Sequence, residues 1–463
     1  MFCLFDKLLR DMDNFLDRLA TNTQRAGHRL YLVGGSVRDQ LMGRPVHDVD
    51  LTTDAPVATI RALLEQSQPD AIYAIGEKFG TIAAIVDGIT VEVTTFRSQE
   101  DTLPKGETVA ALHTDLAHRD FTANAIARDL HTGELHDPFE GELDIKHHLI
   151  RAVGDPHERF NEDPLRLLRA VRIAGQLGFY IERDTKKAVR DLAQRLDEVA
   201  RERVGDELDK LLLVDTPGEA IDGLDSLGLM PYTIPELLEM HEMERGPHHY
   251  KEVYPHTLKV VDRTAPDLIL RWAALLHDVA KPATYGVTNG EVHFFGHEKL
   301  GARMARDILN RLRRPQELVD QVVQLIAEHL RIGVYDESWT DGAVRRFLRE
   351  TAPITERLFA LSRADITSQR PQRVAAALAR VDALYTRCQE IQAQEDVEKL
   401  ASPLDGHDLM RLFGGHPGPW IGRLKDYLLG LVLDGALGKE DKEEAERLAR
   451  EYVEAHPELG VTS

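Results

Sequence analysis

Over the first 150 residues the spacing of hydrophobic positions changes repeatedly, whereas from about Leu149 onward it stays helical almost without interruption. Leu8, Leu9, Met12, Phe15, Leu16 and Leu19 form one stripe, which predicts a leading amphipathic helix over residues 1–28. LYLV is a short β-branched and aromatic run ending at Gly34-Gly35, so it reads as a strand stopped by a tight turn. Ser36 is placed to cap a short helix, SVRDQLM, which Gly43 and Pro45 end. A second strand follows and carries Asp48 and Asp50. Residues 56–66 read as a helix, and AIYAIG, TIAAIVDG and TVEVTTFR as strands, the last setting Val91 and Val93 against Glu92. After a polar loop, DLAHRDFTANAIARDL predicts a helix and HTGELHDPFEG a strand and turn. The expected fold class is α+β, a head with a small mixed sheet followed by a long, almost all-α remainder. No repeat or Pro-rich linker divides that remainder, so changes of motif place the boundaries: 1–148, 149–215, 216–395 and 396–463.

Composition narrows the class. A chain of 463 residues holds about three domains on the usual length prior. Its 43% hydrophobic and 29% charged residues suit a folded, helix-rich protein. Cys3 and Cys388 are its two cysteines, far apart, which argues against a disulfide framework or a cysteine-based zinc site and for a reducing cytoplasm. The leading helix carries acids throughout, unlike a secretory signal, and no apolar run approaches the roughly 20 residues that span a bilayer, so no membrane partner is expected. A net charge of −21 would count against nucleic-acid binding if it were spread evenly. Phosphate contacts need only a local basic surface, however, and the stretch from Arg151 to Arg203 is arginine-rich, although acids interleaved there also suit a solvated helix face.

Four groups of residues carry candidate chemistry. Asp48 and Asp50, two apart on a strand, point to one face, where their mutual repulsion is usually relieved by a divalent cation. Facing glycine backbone, such a pair suggests a nucleoside triphosphate held by its phosphates and Mg²⁺, although a solvated strand end shows the same local pattern. Glu92, on a neighbouring strand, is a candidate third acid. In HRDFTANAIA, Arg119, Asp120 and Asn124 form a polar helix start able to reach a sugar or triphosphate, with Phe121, Ala125 and Ile126 as core. In EDPLRLLRAVRIAGQLGF, Pro164 suits a first helical turn, and Asp163, Arg166, Arg169 and Arg172 recur by threes as one ridge beside the packing ridge Leu165, Leu168, Val171. An Asp beside an Arg offers acceptor and donor to a Watson–Crick edge, and further arginines hold phosphates bidentately; an ion-paired surface helix has the same spacing. Finally, His256, His277-Asp278, His297, His329 and Asp365 border apolar helices, a pattern that favours a divalent metal able to activate water against phosphate esters.

In order along the chain, GGSVRDQLMGRPVHDVDLTT, VEVTTFR, RDFTANAIA, DPFEGELD, EDPLRLLRAVRIAGQLGF and ERVGDEL resemble the successive motifs of bacterial tRNA nucleotidyltransferases. These are the CCA-adding enzymes of the polymerase-β-like superfamily, in the branch shared with bacterial poly(A) polymerases. HTLKVV, LLHDVAKP, FFGHEKLG and EHL resemble the HD phosphohydrolase domain fused to many of them, and PLDGHDLMRLFGGHPGPWIGRL is similar to the tail of the same branch. The resemblance implies a polymerase-β-like nucleotidyltransferase head, a helical neck that selects the nucleotide, an HD body and a tail that contacts tRNA. Asp48 and Asp50 would bind catalytic Mg²⁺, with Glu92 beside them. Gly35 and Arg38 would hold the triphosphate, Arg119 would contact the nucleotide, and Asp120 and Asn124 would shape its sugar site. Asp163 and Arg166 would select the base as a protein template, with Arg169 and Arg172 completing the pocket. His256, His277, Asp278 and Asp365 would hold a second divalent transition metal in the HD domain. The implied partners are the acceptor arm of tRNA, held through backbone and shape, and CTP with or without ATP.

Two departures from the family pattern matter, and the second bears on the product. His118-Arg119 stands where the family has a double arginine. The stretch SQEDTLPKGETVAALHT, from Ser98 to Thr114, is shorter than usual and lacks the Tyr-containing, double-arginine-Pro element that helps the family switch from CTP to ATP. CC addition, completed by a separate A-adding enzyme, therefore stands beside full CCA addition. An HD phosphohydrolase with a tRNA-binding head and a poly(A) polymerase would each carry part of the same set of motifs. So would a non-catalytic tRNA-binding protein, but clustered metal-seeking acids would have no use there.

Overall fold

A computed structural model describes residues 2–46, 48–74, 80–96, 108–245, 253–367, 370–394, 402–414 and 416–459, in two compact units, 1–235 and 236–463. In the first unit, α1 (Phe2–Arg25) leads into β1 (Leu30–Val33), α2 (Gly35–Leu41), β2 (Val49–Thr53), α3 (Val57–Ser67), β3 (Ala71–Ala74), β4 (Thr81–Val86) and β5 (Ile89–Thr95). After α4 (Thr108–Ala117) come β6 (Ala127–Asp129), β7 (Leu135–His136) and α5 (Gly141–Lys146). The strands form one sheet, β3-β4-β5-β2-β1-β6-β7, in which the β2–β5 pair is parallel and the others antiparallel.

Both faces of this sheet are covered, which is why LYLV is apolar at every position. Leu30 and Leu32 pack with Phe15 and Leu19 of α1 and Ile60 and Leu64 of α3, while Tyr31 and Val33 pack with Leu112 and Leu116 of α4. Each such fully buried leucine or phenylalanine stabilises the unit by about 1.5–3 kcal/mol. Val49, Leu51, Val91 and Val93 all join the α1–α3 face, so strand alternation turns Asp50 and Glu92 to the opposite face.

The helix expected over DLAHRDFTANAIARDL does not form. Helix α4 stops at Ala117, Thr122–Asn124 is one 3₁₀ turn, and Ala127–Asp129 is strand β6. The Asp120 carboxylate accepts the Phe121 N–H at 2.8 Å and the Asn124 side-chain amide at 3.1 Å, local bonds that compete with helical hydrogen bonding. Beyond it, β6 supplies the second neighbour that β1 needs, so sheet pairing overrides the amphipathic pattern.

The rest of the unit is mainly helical: β8 (Leu149–Ile150), α6 (Pro156–Glu162), α7 (Arg166–Leu177), β9 (Tyr180–Ile181), α8 (Arg183–Asp191), α9 (Arg201–Leu212) and α10 (Pro217–Ser226), with β8 and β9 paired in parallel. Asp163 sits in extended conformation between α6 and α7, so the ridge of threes belongs to α7 from Arg166 onward and Asp163 precedes it.

The second unit contains α11 (Glu236–Arg245), α12 (Val253–Asp262), α13 (Leu268–Leu276), a hairpin of β10 (Gly286–Thr288) and β11 (Glu291–His293), then α14 (His297–Arg311), α15 (Gln316–Glu328), α16 (Asp341–Thr351), α17 (Thr355–Asp365), α18 (Pro371–Gln394), α19 (Gly406–Phe413), α20 (Pro419–Leu433) and α21 (Lys442–Ala455). Trp272 of α13 and Phe347 and Phe359 of α16 and α17 are fully buried, and Leu409, Leu424, Leu428, Ala445 and Ala449 close a separate core among the last three helices. Among the described residues no helix is long and apolar enough to cross a membrane. The mixed sheet and helical remainder match the α+β architecture read from the sequence, while most of the shortened loop, 97–107, lies outside the described residues.

Candidate active site

The turn after β1 brings backbone close to the acids. Gly34 has φ +73°, which favours glycine, and a Cβ there would lie 2.8 Å from Arg119 Nη1 and 3.3 Å from Asp50 Oδ2, so a side chain would also have to displace the Arg119 guanidinium. Ser36 does not cap α2, whose N-cap is Gly34 without a side-chain bond. Its hydroxyl donates to the Asp48 carbonyl at 2.8 Å and accepts the Asp50 N–H at 3.2 Å. It therefore pins the Asp-Val-Asp segment to the turn. Sequence reasoning missed this role because a serine after Gly-Gly is also an ordinary cap.

Asp48 is exposed and stands one residue before β2, while Asp50 is half-buried and pairs in register with half-buried Glu92 across the parallel β2–β5 ladder. Burial pushes the Asp50 carboxyl up and Asp48 adds to this, against the lowering effect of Arg119. Glu92 is raised by burial and then by Asp50 and Asp48. Three mutually repelling oxygen donors fit a hard divalent cation such as Mg²⁺. Their ligand oxygens do not all lie within 4.8 Å of one another, unlike those of the cluster in the helical unit.

Behind the acids lies a cavity of about 670 Å³, lined by Gly35, Arg38, Asp48, Asp50, Glu92, Asn124, Arg169 and Arg172. Its arginines are held by partners. Arg38 Nη1 donates to Asn124 Oδ1 at 2.7 Å and pairs with Asp39 at 2.8 Å. Asn124 donates to Asp120, and Arg169 donates to Asp120 Oδ2 through Nε at 2.8 Å and Nη2 at 2.5 Å. Burial alone would raise the Asp120 carboxyl, but Arg169, with the hydrogen bonds from Asn124, Arg169 and Phe121, holds it below the usual carboxylate range. Asp120 and Asn124 thus position arginines. Buried Glu207 of α9 accepts from Arg172 Nε at 2.6 Å and lies 3.7 Å from Arg169.

A neighbouring cavity of about 330 Å³ is lined by Arg119, Asp120, Asp163, Arg166, Arg169 and Arg203, among others. Here Asp163 Oδ2 accepts from Arg203 at 2.9 Å, while Arg166 donates to the carbonyls of His118 and Arg159 and to Glu162. Asp163 is therefore paired with Arg203, four residues from Glu207 on one face of α9, and not with Arg166. The i,i+4 spacing in ERVGDEL was the available signal for both. Arg119 keeps a buried Nε without a hydrogen-bond partner among the described residues.

In the helical unit, His256 Nε2 lies 2.9 Å from Asp365 Oδ1 and 3.6 Å from Asp278 Oδ2, and His277 Nε2 lies 3.2 Å from Asp278 Oδ2 and 3.5 Å from Asp365 Oδ1. His277 and Asp278 are almost wholly buried, and His277 Nε2 makes no hydrogen bond of good geometry. Its Nδ1 faces the Ala274 carbonyl at 2.8 Å, which orients Nε2 toward the acids as in metal-binding histidines. These four residues fit a divalent metal.

A family model described as the poly A polymerase head domain matches residues 30–151, one for a probable RNA- and SrmB-binding site of polymerase A matches 178–240, and an HD domain model matches 248–370. An A-adding tRNA nucleotidyltransferase of Deinococcus radiodurans is 34% identical over 92% of this chain and 96% of its own length. A CCA-adding enzyme of Anoxybacillus flavithermus is 34% identical over 89% of this chain and 90% of its own. The crystal structure of Bacillus stearothermophilus CCA-adding enzyme with CTP superposes with a TM-score of 0.68 at 26% identity, covering 97% of this chain and 99% of that one.

Proposed function

This chain belongs to the tRNA nucleotidyltransferase family, the CCA-adding enzymes and their A-adding relatives, and we propose that it builds the CCA terminus by template-independent transfer of CMP and then AMP from CTP and ATP to the 3′ end of tRNA. The observation that carries this reading is the in-register pair Asp50–Glu92, beside Asp48 and behind the Gly34 turn, opening on an arginine-lined cavity. Asp48 and Asp50, with Glu92, would hold Mg²⁺, which lowers the pKa of an attacking hydroxyl and braces the leaving pyrophosphate. Ser36 keeps the two aspartates in place, Gly35 leaves backbone open to phosphate, and Arg119 meets the incoming nucleotide. Arg38, Asn124, Asp120, Arg169 and Arg172 set the shape of its pocket, and Asp163, with Arg166 and Arg203 beside it, faces the base. The functional layout is a head over 1–148, a selecting neck over 149–215, an HD body over 216–395 and a tRNA-contacting tail over 396–463, working in the cytoplasm.

A tRNA ending at its discriminator base, incubated with CTP, ATP or both, tests this. Growth by three nucleotides with both supports CCA addition, and no incorporation into any tRNA overturns the proposal. Growth by two would support CC addition completed by a separate A-adding enzyme, the reading that the shortened 98–114 stretch favours. Extension only of a tRNA already ending in CC would match the A-adding relative, and long ATP-only tails on unstructured RNA would mean poly(A) polymerase.

The imidazole–carboxylate cluster supports a second activity, phosphate-ester hydrolysis with a divalent transition metal at His256, His277 and Asp278, whose ligand atoms lie within 4.8 Å of one another, and at Asp365 beside them. Metal analysis of protein prepared without chelators checks it, and none above background would overturn it.

A further inference from the structure

We infer that the exposed ring of Phe295 is a stacking platform for a nucleobase, so that the phosphate esters presented to the imidazole–carboxylate cluster are those of nucleotides. The inference rests on the reading of that cluster as a hydrolytic site and names its substrate class. It begins with a contrast in burial. Phe295 is 80% exposed, whereas Phe347 and Phe359 of the same unit are fully buried. A single exposed apolar residue is ordinary, but this ring is held in place.

Its support is built from the β10–β11 hairpin. Gly286 and His293 are register partners, and a Cβ at Gly286 would collide with the His293 ring, so glycine leaves that imidazole its place against the ribbon. His293 Nε2 lies 2.8 Å from Thr288 Oγ1, which fixes the ring further. The Phe295 ring stacks on it, with centroids 4.3 Å apart and planes 18° from parallel. One face of Phe295 is therefore taken by His293, and the other is open to solvent. Strand alternation turns Val287 and Val292, themselves cross-strand partners, to the opposite side of the ribbon. The ring is thus a single flat face and not the edge of a wide apolar patch of the kind that a protein partner covers. A flat, pre-positioned aromatic face suits a nucleobase, and any base can use it because each has a π-face.

The platform stands beside the cluster. Phe295 precedes His297 by two residues, so their Cα atoms are at most about 7 Å apart. The Phe294 carbonyl faces His297 Nδ1 at 2.8 Å, and His297 Nε2 lies 3.6 Å from Asp278 Oδ1. Lys281 Nζ lies 5.5 Å from the centre of the Phe294 ring and 2.6 Å from Asp278 Oδ2. Base platform and phosphate chemistry are therefore separated on the scale of one nucleotide.

The test uses the full chain carrying Phe295→Trp, with the parent and its three native tryptophans as the blank. AMP is expected to quench the added emission saturably, and ribose 5-phosphate, which lacks a base, is not. Loading with Zn²⁺ is expected to lower the AMP concentration needed, because the phosphate then reaches the metal. No saturable quenching by AMP, with or without Zn²⁺, overturns the platform. Quenching that Zn²⁺ leaves unchanged overturns its link to the hydrolytic site, whose own metal content is measured separately. As a second readout, Phe295→Ala in the Zn²⁺-loaded protein is expected to raise KM for AMP hydrolysis roughly 5–100-fold and to leave that for ribose 5-phosphate unchanged, with melting curves confirming the fold. Equal changes for both esters overturn base recognition. A parent dimer that Phe295→Ser splits, without quenching by AMP, would assign the ring to a second copy of the chain and overturn the proposal.

Discussion

Asp120 is a test of how the pocket is held together. Its buried carboxylate accepts two hydrogen bonds from Arg169, one from Asn124 and one from the Phe121 N–H. In Asp120→Ala the Arg169 guanidinium loses both hydrogen bonds to Asp120 Oδ2 and keeps the longer contact to Glu207, at 3.7 Å. Breaking a buried ion pair from one side typically costs about 3–5 kcal/mol, because a charge is left uncompensated. For a cooperative unit of this size that corresponds to a fall of roughly 10 °C in melting temperature, and nucleotide addition should fall with it because Arg169 loses its anchor. The pH dependence carries the sign. The native carboxyl lies below the unfolded value of about 3.9, so its contribution is complete above that value and is lost as pH falls through the lower native one. The gap in melting temperature between parent and Asp120→Ala should therefore be constant from about pH 8 to about pH 5 and close only in more acidic solution. A variant that melts within about 2 °C of the parent at pH 7, or a gap already narrowing between pH 7 and 5, would refute the reasoning.

Three further outcomes follow from single contacts. Gly34→Ala forces a side chain into positive φ and against Arg119, a strain of about 1–3 kcal/mol at the site, and should cut the rate of tRNA extension by roughly 10–100-fold with little change in the melting of the helical unit. Ser36→Ala strips the Asp50 N–H of its acceptor, a penalty of about 1–3 kcal/mol; extension kinetics at saturating CTP should fall, and an unchanged rate would show that the hydroxyl does not position the acids. Cys388 in α18 is buried, and burial pushes its thiol up to about 12, so peptide mapping after treatment with a disulfide reagent at pH 8 should find it unmodified in the native chain and modified in urea.

Strand β5 was legible in the sequence because it alternates, and β1 because its unbroken apolar run stops at Gly34-Gly35. Val91–Glu92–Val93 announced which side chain faces the site, and the predicted neighbour of Asp50 is its register partner. Long helices from Leu149 onward were legible for the same reason, since their apolar stripes are continuous. The short segment after α4 was not. Phe121, Ala125 and Ile126 are all fully buried, as a helix would have them, but they reach the core from a turn and a strand whose geometry is set by β1, nearly a hundred residues away. Ser36 and Glu207 were missed for a related reason. Ser36 reads locally as a cap and Glu207 as half of an i,i+4 pair, and each acquires its role from a partner brought in by the fold: the Asp48 carbonyl for one, Arg172 for the other.

The arrangement also explains how a protein of net charge −21 can line a cavity with arginines. Arg38, Asn124, Asp120, Arg169, Glu207 and Arg172 form a continuous chain of polar contacts from the β1–α2 turn to α9. Each buried charge in that chain has a partner, which offsets desolvation and fixes the direction in which the remaining N–H groups point. Arg119 differs, with an orphaned Nε and, among the described residues, a carboxylate contact to Asp115 at 3.8 Å. A substitution on α9 that touches none of the three acids can therefore alter the pocket through Arg169 and Arg172, whereas one at Arg119 removes the cation least committed to the protein itself. On the proposed reading, nucleotide choice would rest on the helices α7 and α9 and the chemistry on the strands β2 and β5, with the Asp120–Arg169 pair holding one wall of the cavity between them.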